Sequence, residues 1–220
     1  MNDKILVMTA VAAERDAVLR GLSGGNPRFD VRLAGVGPVA AAINTTAALL
    51  RSGGAYRLVV SAGIAGGFAG RADIGDIVVA TAMIAADLGA ETPEGFRGVD
   101  ELGFGETRVD ADEATVDRIA EALAAGGRLR VVRGPIVTVS TATGTAATET
   151  RHAARIPGVA AEGMEGYGIA AAAQACGVPA LEIRAISNRV GPRDRDAWRI
   201  GDALASLELA FAQLSEGLSS

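Results

Sequence analysis

The stretch GMEGYGIAAAAQACGVPALEIRAISNRVGPRDRDAW, residues 163–198, predicts a helix, a buried strand and a polar loop in succession. We expect the helix over 164–176 and the strand over 180–186, because the strand segment is a short apolar run. Glu165 then lies at the start of the helix, and Asn188 at the carboxyl end of the strand. Ligands of open α/β sheets bind at the carboxyl ends of strands. This segment therefore directs two polar side chains towards one pocket.

The rest of the chain repeats the alternation of strand and helix. We expect further strands over 4–9, 29–36, 58–62, 76–81 and 130–140, further helices over 14–22, 39–51, 113–125 and 202–214, and a long loop over 87–108. Such alternation is typical of an α/β fold with a mixed, mostly parallel twisted sheet flanked by helices. The length of 220 residues suits a single domain over 1–220.

Composition argues against several classes of protein. The net charge of −5, with both signs interspersed, lacks the basic face that a nucleic-acid partner requires. No apolar run reaches the roughly 18 residues that span a bilayer, so we expect no membrane partner. The apolar run 5–13 follows Asp3 and precedes Glu14, which favours a buried first strand over a signal peptide.

Cysteine and histidine are each present once. The single cysteine, Cys176, excludes an intrachain disulfide, and its Ala-rich surroundings predict a small core residue. The single histidine, His152, lies between two arginines in a polar stretch, and we interpret it as a solvated surface residue. We therefore expect no metal site and no other cofactor, and we expect a reduced, cytoplasmic compartment.

Glycines cluster at three predicted strand ends, at 35–37, 63–67 and 163–166. Glycine there lets the backbone approach a ligand, although simple turns remain an alternative for each segment. A dinucleotide site is disfavoured because the first strand is followed by TAVAAE instead of a Gly-rich turn. A phosphate-binding P-loop is excluded because no Gly-Lys-Ser/Thr occurs.

Two glutamates, Glu14 and Glu165, each stand near the start of a predicted helix. An ordinary structural role, in which each acid stabilises a helix start, is one interpretation. Their pattern also fits glycosyl transfer, in which one carboxylate positions and deprotonates water. A second polar group then holds the sugar hydroxyls while an oxocarbenium-like transition state develops.

Four segments resemble the superfamily of purine nucleoside phosphorylases and methylthioadenosine/S-adenosylhomocysteine nucleosidases. They are VVSAGIAGGF (59–68), DIGDIVVAT (73–81), GMEGYGIA (163–170) and LEIRAISNRVGPRDRDAW (181–198). Within it, DLGAETPEGF (87–96) and the 186–198 segment are most similar to the futalosine hydrolases of menaquinone biosynthesis. The resemblance covers nearly the whole chain. It implies a three-layer fold, hydrolysis of a nucleoside by water without a cofactor, and a homo-oligomer. In such an oligomer the 87–108 loop could reach the pocket of a neighbouring subunit.

The resemblance also implies roles for particular residues. Glu14 would activate water, Glu165 would bind the ribose hydroxyls, and Arg184 would support the pocket strand from behind. Asn188 stands where adenine-specific relatives have aspartate, and its amide donors suit O6 and N7 of a 6-oxopurine such as hypoxanthine. Other expected cavity residues are Val11, Val36, Ile64, Ala142, Thr143 and Met164.

Three features depart from the family pattern or extend it. The segment 141–146, TATGTA, carries no aromatic residue where the family often stacks the purine, so stacking must come from elsewhere. Because Asn188 cannot donate a proton as an acid, Asp194 or Asp196 is a candidate donor unless hydrogen bonding to the base suffices. The candidate partners for the benzoate of futalosine are Arg189, Arg193 and Arg195, since guanidinium binds carboxylate bidentately; a surface Arg-Asp network is the alternative.

Three other functions remain open. Release of adenine from methylthioadenosine would indicate an adenine-specific nucleosidase, which Asn188 disfavours. Phosphate-dependent turnover would indicate a phosphorylase, although Glu14 would repel phosphate. Tight binding without release of the base would indicate a catalytically silent nucleoside-binding protein.

Overall fold

The computed structural model describes residues 4–217. The helices are α1 (Ala12–Gly21), α2 (Pro38–Arg51), α3 (Glu113–Ala124), α4 (Ala146–Arg155), α5 (Gly166–Ala175) and α6 (Ile200–Gly217). The strands are β1 (Lys4–Thr9), β2 (Phe29–Leu33), β3 (Tyr56–Gly67), β4 (Ile77–Ala85), β5 (Gly89–Thr92), β6 (Gly95–Gly98), β7 (Arg108–Asp110), β8 (Val131–Thr138), β9 (Ala161–Gly163) and β10 (Ala180–Arg189).

Eight of the described strands form one mixed sheet, which confirms the predicted fold class. The pairs β1–β2, β1–β3, β3–β10, β4–β8 and β8–β9 are parallel, whereas β4–β10, β3–β9 and β4–β7 are antiparallel. The pairings also close a ring, β3–β10–β4–β8–β9 and back to β3. This ring brings the ends of β3, β9 and β10 together.

Helices cover both faces of the sheet, as the three-layer expectation requires. In β1, the side chains of Ile5 and Val7 join one apolar cluster with α1, α3 and α6. The alternate residues Leu6 and Met8 join another cluster with α2 and α5. Successive residues of a strand point to opposite faces, so this alternation separates the two helical layers.

Three predicted segments differ from the structure. The predicted loop 87–108 contains the hairpin β5–β6, whose turn uses the left-handed backbone of Gly95 (φ 123°). The strand predicted over 58–62 continues to Gly67, because its glycine-rich end pairs with both β9 and β10. Helix α4 and strand β9 lie in 141–163, where the apolar pattern predicted no element before 164.

Candidate active site

A cavity of about 530 Å³ opens at the carboxyl ends of β3 and β10, a size typical of small-molecule sites. Strand β9, the 141–143 segment and the loop after β10 complete its wall. Its lining includes Ala10, Val11, Glu14, Ile64, Ala65, Gly66, Ala142, Thr143, Glu149, Glu162, Gly163, Met164, Glu165, Ser187, Asn188, Arg189, Arg193, Asp194 and Trp198. The residues predicted to share a pocket therefore lie together, with two exceptions described below.

Glu14 is held rigidly at one end of the cavity. It is the third residue of α1, and it is buried. Its Oε2 accepts hydrogen bonds from the backbone N–H groups of Ala10 (2.9 Å) and Val11 (3.2 Å), and its Oε1 accepts one from Ile64 (2.9 Å). Burial raises the pKa of Glu14, and the Arg184 guanidinium partly offsets this effect. A fixed carboxylate with a raised pKa has the properties of a general base.

Glu165 occupies the N-cap position of α5, where its side chain makes no capping hydrogen bond and instead faces the same cavity. Its Oε1 accepts a hydrogen bond from the backbone N–H of Gly37 (3.2 Å), and its Oε2 accepts one from Nη2 of Arg184 (3.1 Å). Arg184 is one of the two exceptions, since it is fully buried behind the cavity wall. It supports Glu165 from behind, the position that the resemblance implies.

A third carboxylate, Glu182, lies beneath this pair and was not singled out from the sequence. It is completely buried, and its Oε1 accepts a hydrogen bond from Nε of Arg184 (2.7 Å). Burial raises the pKa of Glu182, whereas Arg184 opposes the shift. Burial disfavours the charge of Arg184, but Glu182, Glu165 and Glu14 outweigh it and raise its pKa. The positive charge of Arg184 thus interacts with the carboxyl groups of Glu182, Glu165 and Glu14.

Asn188 lies near the end of β10 and lines the opposite part of the cavity. Its Oδ1 accepts a hydrogen bond from the Ser187 hydroxyl (2.8 Å), and its Nδ2 donates one to the carbonyl of Arg189 (2.9 Å). These contacts fix the orientation of the amide. The second hydrogen on Nδ2 stays available for a ligand.

His152 is buried, so its interpretation as a solvated surface residue is wrong. It is 7% exposed, on the inner face of α4, and its Nδ1 lies 3.6 Å from Oε2 of Glu162. Flanking arginines suggested a polar surface, but the amphipathic helix α4 turns the histidine inward while it leaves both arginines exposed.

Glu162 was not predicted from the sequence. It accepts two hydrogen bonds from Thr143, one from the backbone N–H (2.8 Å) and one from the hydroxyl (2.5 Å).

An aromatic side chain lines the cavity although the 141–146 segment has none. Trp198 lies on the wall beside Arg193, whose guanidinium carbon is 5.5 Å from the centre of the indole ring. Trp198 could have been predicted as a cavity residue, since it is the last residue of the 181–198 segment that carries the resemblance. Asp194 also lines the cavity, whereas Asp196 does not.

Val36 is the second exception among the predicted cavity residues. It is 57% exposed and does not line the cavity, although its neighbour Gly37 contacts Glu165.

Among residues 4–217, no group of three or more His, Cys, Asp or Glu side chains is arranged to hold a metal ion. Within the same residues, no helix is long and apolar enough to cross a bilayer.

Comparison with known proteins gives consistent results. The model of the phosphorylase superfamily matches residues 13–218. Futalosine hydrolase of Streptomyces coelicolor is 50% identical, with 98% of this chain and 97% of that protein covered. The 5'-methylthioadenosine/S-adenosylhomocysteine nucleosidase of Shewanella denitrificans is 30% identical, with 96% and 93% covered. The solved futalosine hydrolase of Helicobacter pylori has a TM-score of 0.80 at 20% identity, with 98% and 99% covered.

Proposed function

Since the chain belongs to the phosphorylase superfamily, we propose that it is an N-glycosidase that hydrolyses futalosine and releases hypoxanthine, as a step of menaquinone biosynthesis. The observation that carries the proposal is the cavity in which Glu14 and Glu165 face Asn188. Half of the residues are identical to those of a futalosine hydrolase over nearly the full length. The adenine-specific nucleosidase is a weaker candidate, because its relative shares fewer residues and Asn188 replaces the expected aspartate.

Glu14 serves as the base in the proposed reaction. It removes a proton from water as the water oxygen bonds to the anomeric carbon, and the bond from that carbon to the purine nitrogen breaks. Its three backbone hydrogen bonds hold the carboxylate in place, which lowers the entropic cost of reaching the transition state. The electron pair of the broken bond leaves with the purine.

Glu165 binds the ribose hydroxyls in this proposal, and Met164 packs against the sugar. The hydrogen bond and ion pair between Glu165 and Arg184 keep the carboxylate oriented. A carboxylate accepts hydrogen bonds from two neighbouring hydroxyls at once, which orients the anomeric carbon towards the water. Val11, Ile64 and Ala142 supply apolar wall around the nucleoside.

Asn188 stabilises the departing 6-oxopurine through its amide donor. Asp194 is the candidate proton donor for the base, because it lines the cavity whereas Asp196 does not. Arg193 is the candidate partner of the benzoate group, and Trp198 beside it offers an aromatic surface for a planar ring.

We also propose that the enzyme is a cytoplasmic homo-oligomer. The outer face of α2 exposes Ile43 (63%) and Leu50 (73%), and Phe104 in the 87–108 segment is 82% exposed. Large apolar side chains aligned on one helix face are typical of surfaces that pack against another copy. The cytoplasmic location rests on the single cysteine, which excludes an intrachain disulfide.

The decisive experiment measures release of the base from futalosine and from methylthioadenosine, side by side, in phosphate-free buffer. We expect hypoxanthine from futalosine and no adenine from methylthioadenosine. Adenine release alone would contradict both the substrate and the role of Asn188. A requirement for phosphate would identify a phosphorylase, and binding without release would identify a silent binding protein.

A further inference from the structure

We infer that Glu162 determines specificity for the base by accepting a hydrogen bond from N1–H of the 6-oxopurine; the inference rests on the proposed function. Glu162 is a nearly buried carboxylate in the cavity wall. Neither activation of water nor binding of ribose uses it. A buried carboxylate is costly unless its charge is hydrogen-bonded; Thr143 supplies two such bonds to a side chain that still lines the cavity.

The sheet places Glu162 and Asn188 on either side of Gly66. Gly66 of β3 pairs with Glu162 on β9 at one edge and with Asn188 on β10 at the other edge. Partners at the same register of neighbouring strands direct their side chains to the same face of the sheet. Glu162 and Asn188 therefore flank one point of the cavity floor, and both line the cavity.

The two side chains together match the edge of a 6-oxopurine. That edge offers an acceptor at O6 and a donor at N1, whereas a 6-aminopurine offers a donor at the exocyclic nitrogen and an acceptor at N1. An amide supplies the donor for O6, but a carboxylate only accepts. The carboxylate of Glu162 thus accepts a hydrogen bond from N1–H of an oxopurine. In an aminopurine, N1 carries a lone pair and repels the carboxylate oxygen, so the oxopurine binds preferentially.

Glu162 is oriented for this role by its other contacts. Its two oxygens each accept one hydrogen bond from Thr143. A carboxylate oxygen accepts two, so each retains one site for a ligand. Behind it, the buried His152 has no hydrogen-bond partner for Nδ1 among residues 4–217, and this nitrogen lies 3.6 Å from the carboxylate.

The test compares the affinities for hypoxanthine and adenine of the unmodified enzyme, Glu162→Gln and Glu149→Gln, by calorimetry. Glu149 is the matched control, because it also lines the cavity but projects from α4 instead of the sheet. We expect the preference for hypoxanthine to fall about ten- to a hundredfold in Glu162→Gln, the size of one charged hydrogen bond. We expect Glu149→Gln to keep the preference.

A purely structural role for Glu162, in which it only holds Thr143, would weaken both bases equally. An unchanged ratio in Glu162→Gln, or a loss of preference in Glu149→Gln, therefore overturns the inference. A second measurement needs no variant: 1-methylhypoxanthine lacks N1–H, and we expect the unmodified enzyme to bind it at least about tenfold more weakly than hypoxanthine. Equal affinity for the two bases also overturns the inference.

Failure of the inference and failure of the proposed function are distinguishable. An enzyme that releases hypoxanthine from futalosine, but whose Glu162→Gln variant keeps the ratio, refutes the inference alone. An enzyme inactive on futalosine refutes the proposed function, while the affinities for free bases still report on Glu162.

Discussion

Replacement of Gly63 by alanine tests whether the position of Glu14 determines the rate. Gly63 lies in β3 directly beneath the catalytic candidates. A β-carbon at this residue would stand 2.8 Å from the carboxyl carbon of Glu14 and 2.7 Å from Nη1 of Arg184. Carbon atoms in favourable contact are about 3.5 Å apart or more. The added methyl group must therefore push the carboxylate by about 0.7 Å.

The size of the effect follows from this displacement. A misplacement of about 1 Å in a catalytic group can reduce the rate about a hundredfold. We expect Gly63→Ala to lower kcat about ten- to a hundredfold, which corresponds to about 1.4–2.7 kcal/mol of lost transition-state stabilisation. Because the three atoms nearest to the new methyl group belong to Glu14 and Arg184 and not to Glu165 or Asn188, we expect KM to change much less than kcat.

The assay is steady-state hydrolysis of futalosine, with thermal unfolding measured on the same samples. Gly25→Ala is the matched control, because a β-carbon there meets no atom within 4 Å, and we expect it to retain full activity. A folded Gly63→Ala enzyme with unchanged kcat would refute the argument that the rigid position of Glu14 sets the rate.

Four further predictions concern the site and the surface. Glu14→Gln should lower kcat about 10²- to 10⁴-fold with intact folding. A normal rate in Glu14→Gln would contradict the mechanism. In the unmodified enzyme, kcat/KM should fall with decreasing pH through a pKa above the ordinary value of 4.5, since burial raises the pKa of Glu14. Arg193→Ala should reduce activity on futalosine more than on inosine, and an equal loss would remove the benzoate role. Ile43→Glu should shift the oligomer towards monomer in sedimentation experiments, and an unchanged mass would exclude the α2 face as the interface.

The raised pKa of Glu14 also has a consequence for stability. The native state holds this proton more tightly than the unfolded chain does. By linkage, the contribution of Glu14 to the free energy of unfolding decreases as pH rises from 4.5 through the native pKa. The base is therefore ionised, and active, in the pH range where it contributes least to stability.

The sequence by itself determined the alternation of strands and helices and the mixed sheet, and the resemblance to the superfamily supplied several of the cavity residues. Apolar runs and glycine-rich strand ends are local signals, and the strand after residue 180 was readable from its composition. Glu14, Glu165 and Asn188 were identified because each follows or begins such an element, and strand ends converge at one edge of a sheet.

Only the tertiary structure decided which side chains share an environment. The polar residues around His152 predicted solvent, yet α4 packs this histidine against Glu162. The closed ring of strands placed Glu162 and Asn188 on either side of Gly66, and the return of β10 along β3 buried Glu182 beneath Arg184. Glu182 and Arg184 are only two residues apart, but their burial, like that of His152, arises because other elements pack around them. Burial and charge pairing therefore follow from the packed fold and not from a local pattern.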